Sequence, residues 1–475
     1  IDGGGAGGYK AIAAWLLFSI AGASAAAEDN LRISPATLDS RLSSQLPGFA
    51  LLPEEDDRQL QVPAMLDIGM AVQRGVQWHP AIAEAVGGLL MQGEQIGVER
   101  ARYYPQVSGG FQAGYDSAYQ GNGFSPSFVL SASQMLYDFG KVSSAVRSAE
   151  SGMLEQQANV LSSIDQVALE AAQALVEVQR YQNLQRIAEE QVDGLETVAE
   201  LARDRSIKGA SSRSDVVQSE ARVSGARSLQ LQYQAQLERW RGSLANQLGW
   251  PRIAAVSDAF PDAIDDYCAT GAADGQLVPA LLAAQAQRSQ AMARLQNARA
   301  QSLPTISLDP SLTHYLNDNH TTSDNSERTR HGIFLNVNMP LYQGGALSAQ
   351  KRAASHALES ADAALRNAGL QTRKSLMEAR SQTFSLRGNL KVLQNRYALS
   401  EQTRDLYYQQ YLQLGSRPLL DLLNSEQEIH QSRFDWQNIL SDLRQLQLTC
   451  LYASGALRGA FGLDGRRIQG VEVRP

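Results

Sequence analysis

The side chains that could act together lie in two short segments, residues 207–215 and 414–421. Arg417 stands four positions before Asp421, a spacing at which two side chains meet on one face of a helix and form an ion pair. The chemistry that such a pair offers is electrostatic, because it fastens one element to another and transforms no substrate. Its use therefore depends on the elements that carry the two segments.

Motifs for catalysis and for metal binding are lacking in the sequence. The six histidines form no H-E-x-x-H spacing, and no G-x-S-x-G, Walker loop or C-x-x-C motif occurs. Gly3, Gly5 and Gly8 spell G-x-G-x-x-G, but no strand precedes them, so they do not indicate a dinucleotide site. The sequence therefore predicts no enzyme, no cofactor and no metal site.

The composition excludes further classes of protein. The 475 residues carry 42 Lys and Arg against 49 Asp and Glu, a net charge of −7, so the chain lacks the basic face that nucleic acid requires. Charged residues make up 19% and hydrophobic residues 43%, which suits long packed helices and not disorder. A mean hydropathy of −0.28 excludes a bundle of transmembrane helices.

The N-terminal residues have the features of an exported protein. Lys10 precedes an apolar run at 11–20, and small A-x-A residues follow it, as in a cleaved signal peptide. The run is too short to span a membrane as a helix. We therefore predict a signal peptide over residues 1–27. Residues 28–63 form either an extended segment on the surface or a weakly ordered tail.

One pattern occurs twice along the chain. The matching segments are residues 104–108 and 303–307, 136–140 and 341–345, and 209–220 and 415–426. In the third pair, both copies have a Gly, an Asp six positions later and then Ser-Glu, with one offset of 206 residues. Each half therefore predicts a helix, a strand pair, a very long helix, a turn and a return helix.

In the predicted strand pairs, at about 104–138 and 303–342, apolar residues alternate with polar ones. Val107, Phe111 and Tyr115 alternate with polar residues such as Ser108. Segments of about ten residues with one apolar and one polar face are typical of a transmembrane β-barrel. The edge of a soluble β-sandwich has the same alternation. The signal peptide and the glycine-rich and charged turns favour the transmembrane barrel over the soluble sandwich.

The helical segments are unusually long. No proline interrupts residues 141–206 or 346–411. Apolar residues recur there at intervals of three and four residues, as in a coiled coil. Each would extend about 100 Å at 1.5 Å per residue. Return helices are predicted at 214–249 and 418–457. Glycines permit the tight reversals before them, and a proline is tolerated in the first helical turn. The turn residues are Gly209, Gly415 and Pro418.

Four strands per chain cannot close a barrel, because outer-membrane barrels have eight or more strands and open edges are not tolerated in lipid. Two copies would supply eight strands, and three would supply twelve. Eight strands leave an interior filled by side chains, whereas twelve leave a pore, so we predict a homotrimer.

Together these features resemble the TolC family of outer-membrane channels. The segments that carry the resemblance are H-P-A-I at 79–82, A-R-Y-Y-P-Q at 101–106, Q-M-L-Y-D-F-G-K at 134–141, N-M-P-L-Y-Q-G-G at 338–345, and Gly415 with Asp421. The resemblance spans about residues 67–455. It implies a mainly α protein with a membrane β-barrel, in which coiled-coil hairpins form a periplasmic tunnel. Four strands per protomer would contribute to a trimeric twelve-stranded barrel.

The resemblance also implies the location and the partners of the protein. It places the chain in the outer membrane of a Gram-negative cell, in contact with outer-membrane lipid and extending into the periplasm. There the tunnel would dock onto a periplasmic adaptor protein and an inner-membrane transporter, with the ABC type expected. No nucleic-acid partner is implied.

The periplasmic gate is expected at the tips of the helical hairpins, again by resemblance. By matching position, Arg417 and Asp421 carry over from the second tip, and Ser214 and Asp215 from the first. In the family, ion pairs and hydrogen bonds between neighbouring hairpins hold the helices in an inward twist. The alternative is an ordinary surface pair of Arg417 and Asp421, worth about 0.3–0.5 kcal/mol, without a gating role.

Two gate positions depart from the family pattern. The position of the family's tyrosine falls on Leu412, with Tyr411 adjacent, and that of its second inner aspartate falls on Asn424. Because a ring of amides binds cations less than a ring of carboxylates, we expect the closed gate to be held more loosely.

The resemblance implies a passive export duct, and the sequence leaves its cargo open. The absence of an acylation cysteine and the Asp- and Ser-rich tips favour type I protein secretion, including export of adhesins. A multidrug or metal efflux duct of the same fold is the alternative. A periplasmic coiled-coil structural or adaptor protein is the alternative from another class, against which the four alternating strands argue.

The two cysteines would both lie in the oxidising periplasm. Cys268 falls in the linker between the halves, and Cys450 lies near the end of the last helix. The resemblance places both segments in a collar around the tunnel, so a disulfide between the two cysteines stays one alternative. The sequence favours two free thiols, because it does not place their Cα atoms about 5.5 Å apart.

The predicted organisation follows from these patterns. Its parts are a signal peptide at 1–27, an N-terminal extended segment at 28–63, a first repeat at 64–250, an inter-repeat linker at 251–276, a second repeat at 277–460 and a C-terminal tail at 461–475.

Overall fold

The computed structural model describes Arg32–Ile33 and residues 62–115, 124–253, 255–265, 267–270, 278–316, 328–414 and 417–474. The predicted signal peptide, most of the predicted extended segment at 28–63 and the turn residue Gly415 lie outside the described residues.

Helices dominate the protein. In chain order they are α1 Ile68–Trp78, α2 Pro80–Ala101, α3 Lys141–Ile207, α4 Arg213–Leu248, α5 Asp262–Asp265, α6 Tyr267–Thr270, α7 Pro279–Ala300, α8 Ala346–Gln409, α9 Leu419–Ser454 and α10 Leu457–Ala460. The long helices α3 and α8 have 67 and 64 residues, close to prediction. No helix within the described ranges is both long and apolar enough to cross a membrane.

The sequence pattern predicts one helix before the first strand pair, and the structure has two. Met65–Leu66 is instead a short strand, and the helix is divided in two at His79. Pro80 lacks an N–H and disfavours helical geometry at the residue before it, so α1 ends at Trp78. The Nδ1 atom of His79 accepts a hydrogen bond from the Ala81 amide at 3.3 Å and caps α2.

Both long helices start at a left-handed corner. Gly140 caps α3 with a φ of 94°, and Gly345 caps α8 with a φ of 84°. The residue before each glycine also has positive φ, and it is Phe139 in the first half. The Asp138 carboxylate accepts hydrogen bonds from the amides of Gly140 and Val142, which holds the first corner. The repeated sequence therefore encodes one strand-to-helix turn twice.

The strands complete the two halves. In chain order they are β1 Arg32–Ile33, β2 Met65–Leu66, β3 Gln106–Tyr115, β4 Phe124–Tyr137, β5 Ala255–Val256, β6 Thr305–Tyr315, β7 Thr329–Asn338, β8 Arg467–Ile468 and β9 Val471–Val473. The main sheet is antiparallel in the order β3-β4-β6-β7, so the β4–β6 pair joins the two repeats. Within the part of the chain that the structure describes, its open edges are β3 and β7. The predicted C-terminal tail at 461–475 contains the hairpin β8–β9, and β9 pairs with β1.

The long helix α3 forms the centre of the helical layer. Helices α2 and α4 pack along one side of it, and α7 and α9 along the other. The second long helix, α8, packs chiefly against α7 and α9 at the outer side. Apolar side chains of α3 are buried along its whole length, whereas the buried residues of α8 are Leu376, Ala379, Thr383 and Ser400. One repeat thus supplies the core of the protomer and the other its edge.

Candidate functional site at the hairpin tips

The second hairpin tip is built from a change of helical winding. After Gln409 the chain makes one turn of π-helix, Gln410–Leu414, a form that is frequent at functional sites. Pro418 is the N-cap of α9, which begins at Leu419, so the proline lies one residue before its predicted place in the first turn.

Arg417 contacts both arms of the second hairpin. Its Nη1 atom lies 3.0 Å from Asp421 Oδ2, so the predicted ion pair is present. Its Nε donates to Gln410 Oε1 at 2.9 Å, and its guanidinium lies 4.2 Å from the ring centroid of Tyr407. Both charged side chains are about one-third exposed (37% and 34%). Solvent therefore screens the ion pair and limits its contribution to stability to about 0.5 kcal/mol. The three contacts together form a clasp across the tip.

The first hairpin tip is held by backbone capping instead. Ser212 caps α4 in a capping box with Asp215, whose amide donates to Ser212 Oγ at 3.2 Å. The Asp215 carboxylate accepts from the Ser211 hydroxyl at 2.7 Å and from the Ser212 amide at 3.1 Å. The hydrogen bond from Ser211 is the main reason that the pKa of Asp215 is lowered. The Ser214 hydroxyl pairs with that of Ser212 at 2.6 Å.

Gly209 provides the reversal at this tip. Its φ of 74° is in the left-handed region that favours glycine. The amide of Ala210 donates to the carbonyl of Arg205 at 2.7 Å, which closes the end of α3 in the usual helix-terminating pattern. Gly209 therefore lies in the reversal between α3 and α4.

Tyr411 connects the two tips from a buried position. Its carbonyl accepts a hydrogen bond from Arg205 Nη1 at 3.0 Å, and the Arg205 guanidinium lies 4.6 Å from its ring centroid. The ring packs in an apolar cluster with residues such as Leu195 and Leu422, and its hydroxyl has no hydrogen-bond partner within the described ranges. Tyr411 therefore does not join Arg417, and the aromatic ring beneath Arg417 belongs to Tyr407.

Asn424 is held by the neighbouring return helix. Its Oδ1 accepts from Arg222 Nη2 of α4 at 3.3 Å, and Arg222 also donates to Gln427. Within the described part of one chain, no hydrogen bond or ion pair joins Ser214 or Asp215 to Arg417 or Asp421. The predicted gate residues therefore fall into separate groups in the protomer.

No sequence pattern singled out Arg205 or Tyr407 as residues of the tips. A signal for the first exists, because Arg205 and Tyr411 are 206 positions apart, the offset of the repeat itself. Equivalent positions of the two hairpins thus meet at the tips. Tyr407 lies ten residues before Arg417, on the other side of the π-helical turn, and the sequence pattern gives no sign that the two meet.

Cys268 and Cys450 form a disulfide, so the expectation of two free thiols was wrong. Their Cα atoms are 5.9 Å apart although 182 residues separate them in sequence. Both cysteines are buried beside Leu376, Ala379 and Ala453, where α6, α8 and α9 meet. The bond therefore ties the segment between the repeats to the second hairpin.

The sequence matches known proteins over most of its length. A family profile described as outer membrane efflux protein matches residues 72–250 and 276–453. Protein CyaE of Bordetella pertussis is 27% identical over 377 residues, which cover 76% of this chain and 77% of that protein. Outer membrane efflux protein BepC of Brucella suis is 23% identical over 353 residues, covering 72% and 75%. Proteases secretion protein PrtF of Dickeya chrysanthemi is 27% identical over 261 residues, covering 52% and 55%.

The fold also has a close counterpart among solved structures. The outer membrane protein VceC from Vibrio cholerae superposes with a TM-score of 0.72, covering 82% of this chain and 96% of that one. Its sequence identity is 18%, so this likeness concerns the fold.

Proposed function

The chain belongs to the outer membrane efflux protein family, and from that premise we propose that it forms the outer-membrane duct of a type I protein secretion system. It is a protein of the Gram-negative outer membrane that extends into the periplasm. In the proposed system, an inner-membrane transporter of the ABC type passes cargo through a periplasmic adaptor into the duct. The duct conducts the cargo and catalyses no reaction.

The names of the relatives support the choice of cargo. PrtF is a proteases secretion protein, and it is 27% identical over 261 residues. This observation carries the proposal that the cargo is protein, and an adhesin is one candidate. BepC is an outer membrane efflux protein and favours a second candidate, a drug or metal efflux duct of the same fold.

The open edges of the main sheet support a homotrimer. Among the described residues, strands β3 and β7 each leave one side of the four-stranded sheet unpaired. Apolar side chains such as Val107, Phe111 and Ile333 are exposed on it, as on a lipid-facing surface. Because open edges are not tolerated in lipid, β7 of one protomer would pair with β3 of the next, and three copies would close a twelve-stranded barrel around a pore.

Helix α8 has a row of exposed apolar side chains, and this row also indicates contact with another copy of the chain. Its exposed apolar residues recur every seven positions with one step of eight, as along a coiled coil. They are Leu370, Met377, Phe384, Val392, Leu399 and Leu406, each between 56% and 83% exposed. An apolar stripe of this length on a single protomer marks an interaction surface.

The opposite edge of the protomer offers a matching pair of residues. Val217 and Leu231 are the exposed large hydrophobic residues of α4, and they are fourteen positions apart, as are Val392 and Leu406. Both helices meet the hairpin tips, so equal distances from the tip give equal heights. Leu406 lies three residues from the end of α8, and Val217 lies four residues from the start of α4. We therefore expect Leu406 to meet Val217 of the adjacent copy.

Cysteine cross-linking tests this register. With Leu406→Cys and Val217→Cys in one chain, we expect oxidised dimers and trimers on a non-reducing gel, because α3 and α9 separate these residues within a protomer. The native cysteines are already bonded and do not interfere. The control pairs Val217→Cys with Leu399→Cys, which lies about 10 Å along the helix and beyond disulfide reach. Equal cross-linking of both pairs, or of neither, would contradict the register.

A comparison of secreted proteins tests the cargo. Surface and culture-medium proteins are compared between cells with the gene, without it, and with it restored on a plasmid. Loss and recovery of one large secreted protein is the expected result. An unchanged protein profile together with greater sensitivity to drugs or metals would reject protein secretion and support the efflux duct.

A further inference from the structure

Two adjoining cavities lie where the helices meet the main sheet. One has a volume of about 460 Å³ and is lined by residues of α2, α3, α7 and α8. The other, of about 530 Å³, reaches the ends of β6 and β7. Asn297, Gln301 and Gln350 line both cavities, so the two form one continuous surface. Cavities of this volume are typical of ligand-binding sites.

The register of the sheet shows the side of the protomer on which the cavities open. Thr305 of β6 pairs with Asn338 of β7, and both residues line the second cavity. Because side chains alternate along a strand, Asn338 lies on the opposite face from Val337. Val337 belongs to the exposed apolar face that the proposed barrel turns to the lipid. Both cavities therefore open to the interior of the proposed duct.

Primary amide groups dominate the lining of the first cavity. We call these residues the amide band, and they are Gln92, Gln95, Gln290, Asn297, Gln301 and Gln350.

Two glutamines of the amide band converge across α3 from the helices on either side. Gly152 of α3 lies beneath both, and a Cβ built on it would be 2.8 Å from Gln290 Nε2 and 2.9 Å from Gln92 Nε2. Gln95, Gln290 and Gln350 have no hydrogen-bond partner within the described ranges. Their donors and acceptors therefore stay available to a ligand.

A primary amide is complementary to a peptide bond. Each Gln or Asn side chain has two N–H donors and a carbonyl acceptor, and each residue of an extended chain has one backbone donor and one acceptor. Such hydrogen bonds do not depend on the side chains of the bound chain. From Gln290 to Gln301 the band extends about 17 Å along α7, the length of about five residues of extended polypeptide.

The other cargo classes match the lining of the two cavities less well. Metal sites combine several carboxylate, imidazole or thiolate ligands. Among the described lining residues, the single carboxylate is that of Glu99, whose Oε2 lies 3.2 Å from Arg102 Nη1. Drug sites are mostly apolar and aromatic, and none of the described residues that line these cavities is aromatic. The lining therefore favours a polypeptide.

We propose that the amide band binds the backbone of unfolded polypeptide cargo as it passes from the helices into the barrel. This inference rests on the proposed duct function and adds the surface that the cargo contacts. Because contact is made through backbone groups, one duct can pass chains of many sequences. Hydrogen bonds between neutral groups contribute only modestly to binding, so a moving chain is released again.

Blockades of the ion current in planar bilayers test the amide band. The full-length protein conducts KCl, and an uncharged Gly-Ser repeat peptide of about 30 residues, a flexible random coil, is added on the barrel side. The peptide then meets the band before the hairpin tips. We expect Gln290→Leu and Gln301→Leu to shorten the dwell time of the blockades several-fold, because leucine has a similar size and forms no hydrogen bonds. Unchanged dwell times in both variants would reject the proposal.

The matched control is Gln296→Leu, on the same helix. Gln296 lies two residues from Arg294, so at 3.6 residues per turn its side chain leaves α7 on the other side. There it accepts a hydrogen bond from Arg147 Nη2 at 2.9 Å. We expect wild-type dwell times for Gln296→Leu, and dwell times for Gln290→Asn that are nearer to wild type than those for Gln290→Leu. Equal shortening in all three variants would contradict the role of the amides.

Two further probes separate the peptide backbone from other ligands. Poly(ethylene glycol) of similar length donates no hydrogen bond along its chain, and we expect its dwell time to be the same in the wild type and in Gln290→Leu. A dextran oligosaccharide that dwells longer than the peptide, and for a shorter time in Gln290→Leu, would make the band a saccharide site and overturn the proposal. A wild-type protein that conducts no ions would instead reject the duct itself, so the two failures are distinguishable.

Discussion

The two long helices come from one repeated pattern and have nearly equal lengths, yet they have opposite surroundings. Helix α3 is flanked on both sides and is buried along its length, whereas α8 buries four residues and exposes an apolar seam. Length and periodicity are the same in both, so neither property distinguishes core from edge. The difference shows that α3 organises the protomer and that α8 is left for contact outside it.

The largest expected effect lies at a buried charge of α3. Asp165 and Arg458 are 1% and 2% exposed and form an ion pair. Arg458→Met leaves the Asp165 carboxylate buried without a partner, so we expect the free energy of unfolding to fall by about 3–5 kcal/mol. Denaturant unfolding in detergent measures it. The control Arg366→Met, an exposed arginine on α8, should change stability little, and an equal loss in both would contradict the assigned roles.

Apolar truncation sharpens the same contrast. Leu175 of α3 is 0% exposed, so Leu175→Ala should cost about 2–5 kcal/mol of protomer stability. Leu370 of α8 is 59% exposed, so Leu370→Ala should leave the protomer intact and instead weaken the trimer. Unfolding curves report the first effect, and trimer migration at decreasing protein concentration reports the second. Comparable unfolding losses for both variants would show that α8 is a core helix.

The pH dependence of stability probes α3 in the wild type. Burial raises the pKa of Asp165 to about 6 from its ordinary value of 3.8, against the opposing effect of Arg458. The folded protein therefore holds this proton more tightly than the unfolded chain does. Its contribution is fully present below pH 3.8 and is lost as the pH rises through about 6. The total loss is about 3 kcal/mol. Asp165→Asn should abolish this pH dependence, and a persisting slope would assign it to other groups.

The sequence predicts the repeat, the strand-to-helix corners and both long helices, because these depend on local pattern. It also contains the reason for the break at His79, since Pro80 is visible in it. The pairing of Cys268 with Cys450 depends on packing between distant segments, which local pattern does not reveal. For the same reason, the Ser-Glu motif of each half gives no sign that only Glu426 is buried. The features that distinguish one half from the other therefore arise from the tertiary position of each half.

The two hairpin tips differ in how they are stabilised, and the first offers a smaller effect. Ser212 caps α4 with its side chain, whereas the N-cap of α9 is Pro418, which has no side-chain cap. We expect Ser212→Ala to cost about 1 kcal/mol and to increase fraying of α4. Hydrogen exchange of the first amides of α4 measures this. Pro418→Ala removes no capping hydrogen bond and serves as the control; a greater increase in exchange at α9 than at α4 would contradict the assignment.

The smallest change in stability is expected at the clasp of the second tip. Arg417→Gln removes an exposed ion pair and a cation–π contact, which together contribute about 1 kcal/mol or less. If Arg417 and Asp421 form an ordinary surface pair, Arg417→Gln will lower stability slightly and leave the conductance of the resting duct unchanged. If the clasp closes the gate, conductance will rise although unfolding hardly changes. Arg203→Gln breaks the open pair with Glu220 in the first hairpin and is the matched control. A rise limited to Arg417→Gln would place gating in the second hairpin alone, the half of the repeat that forms the edge of the protomer.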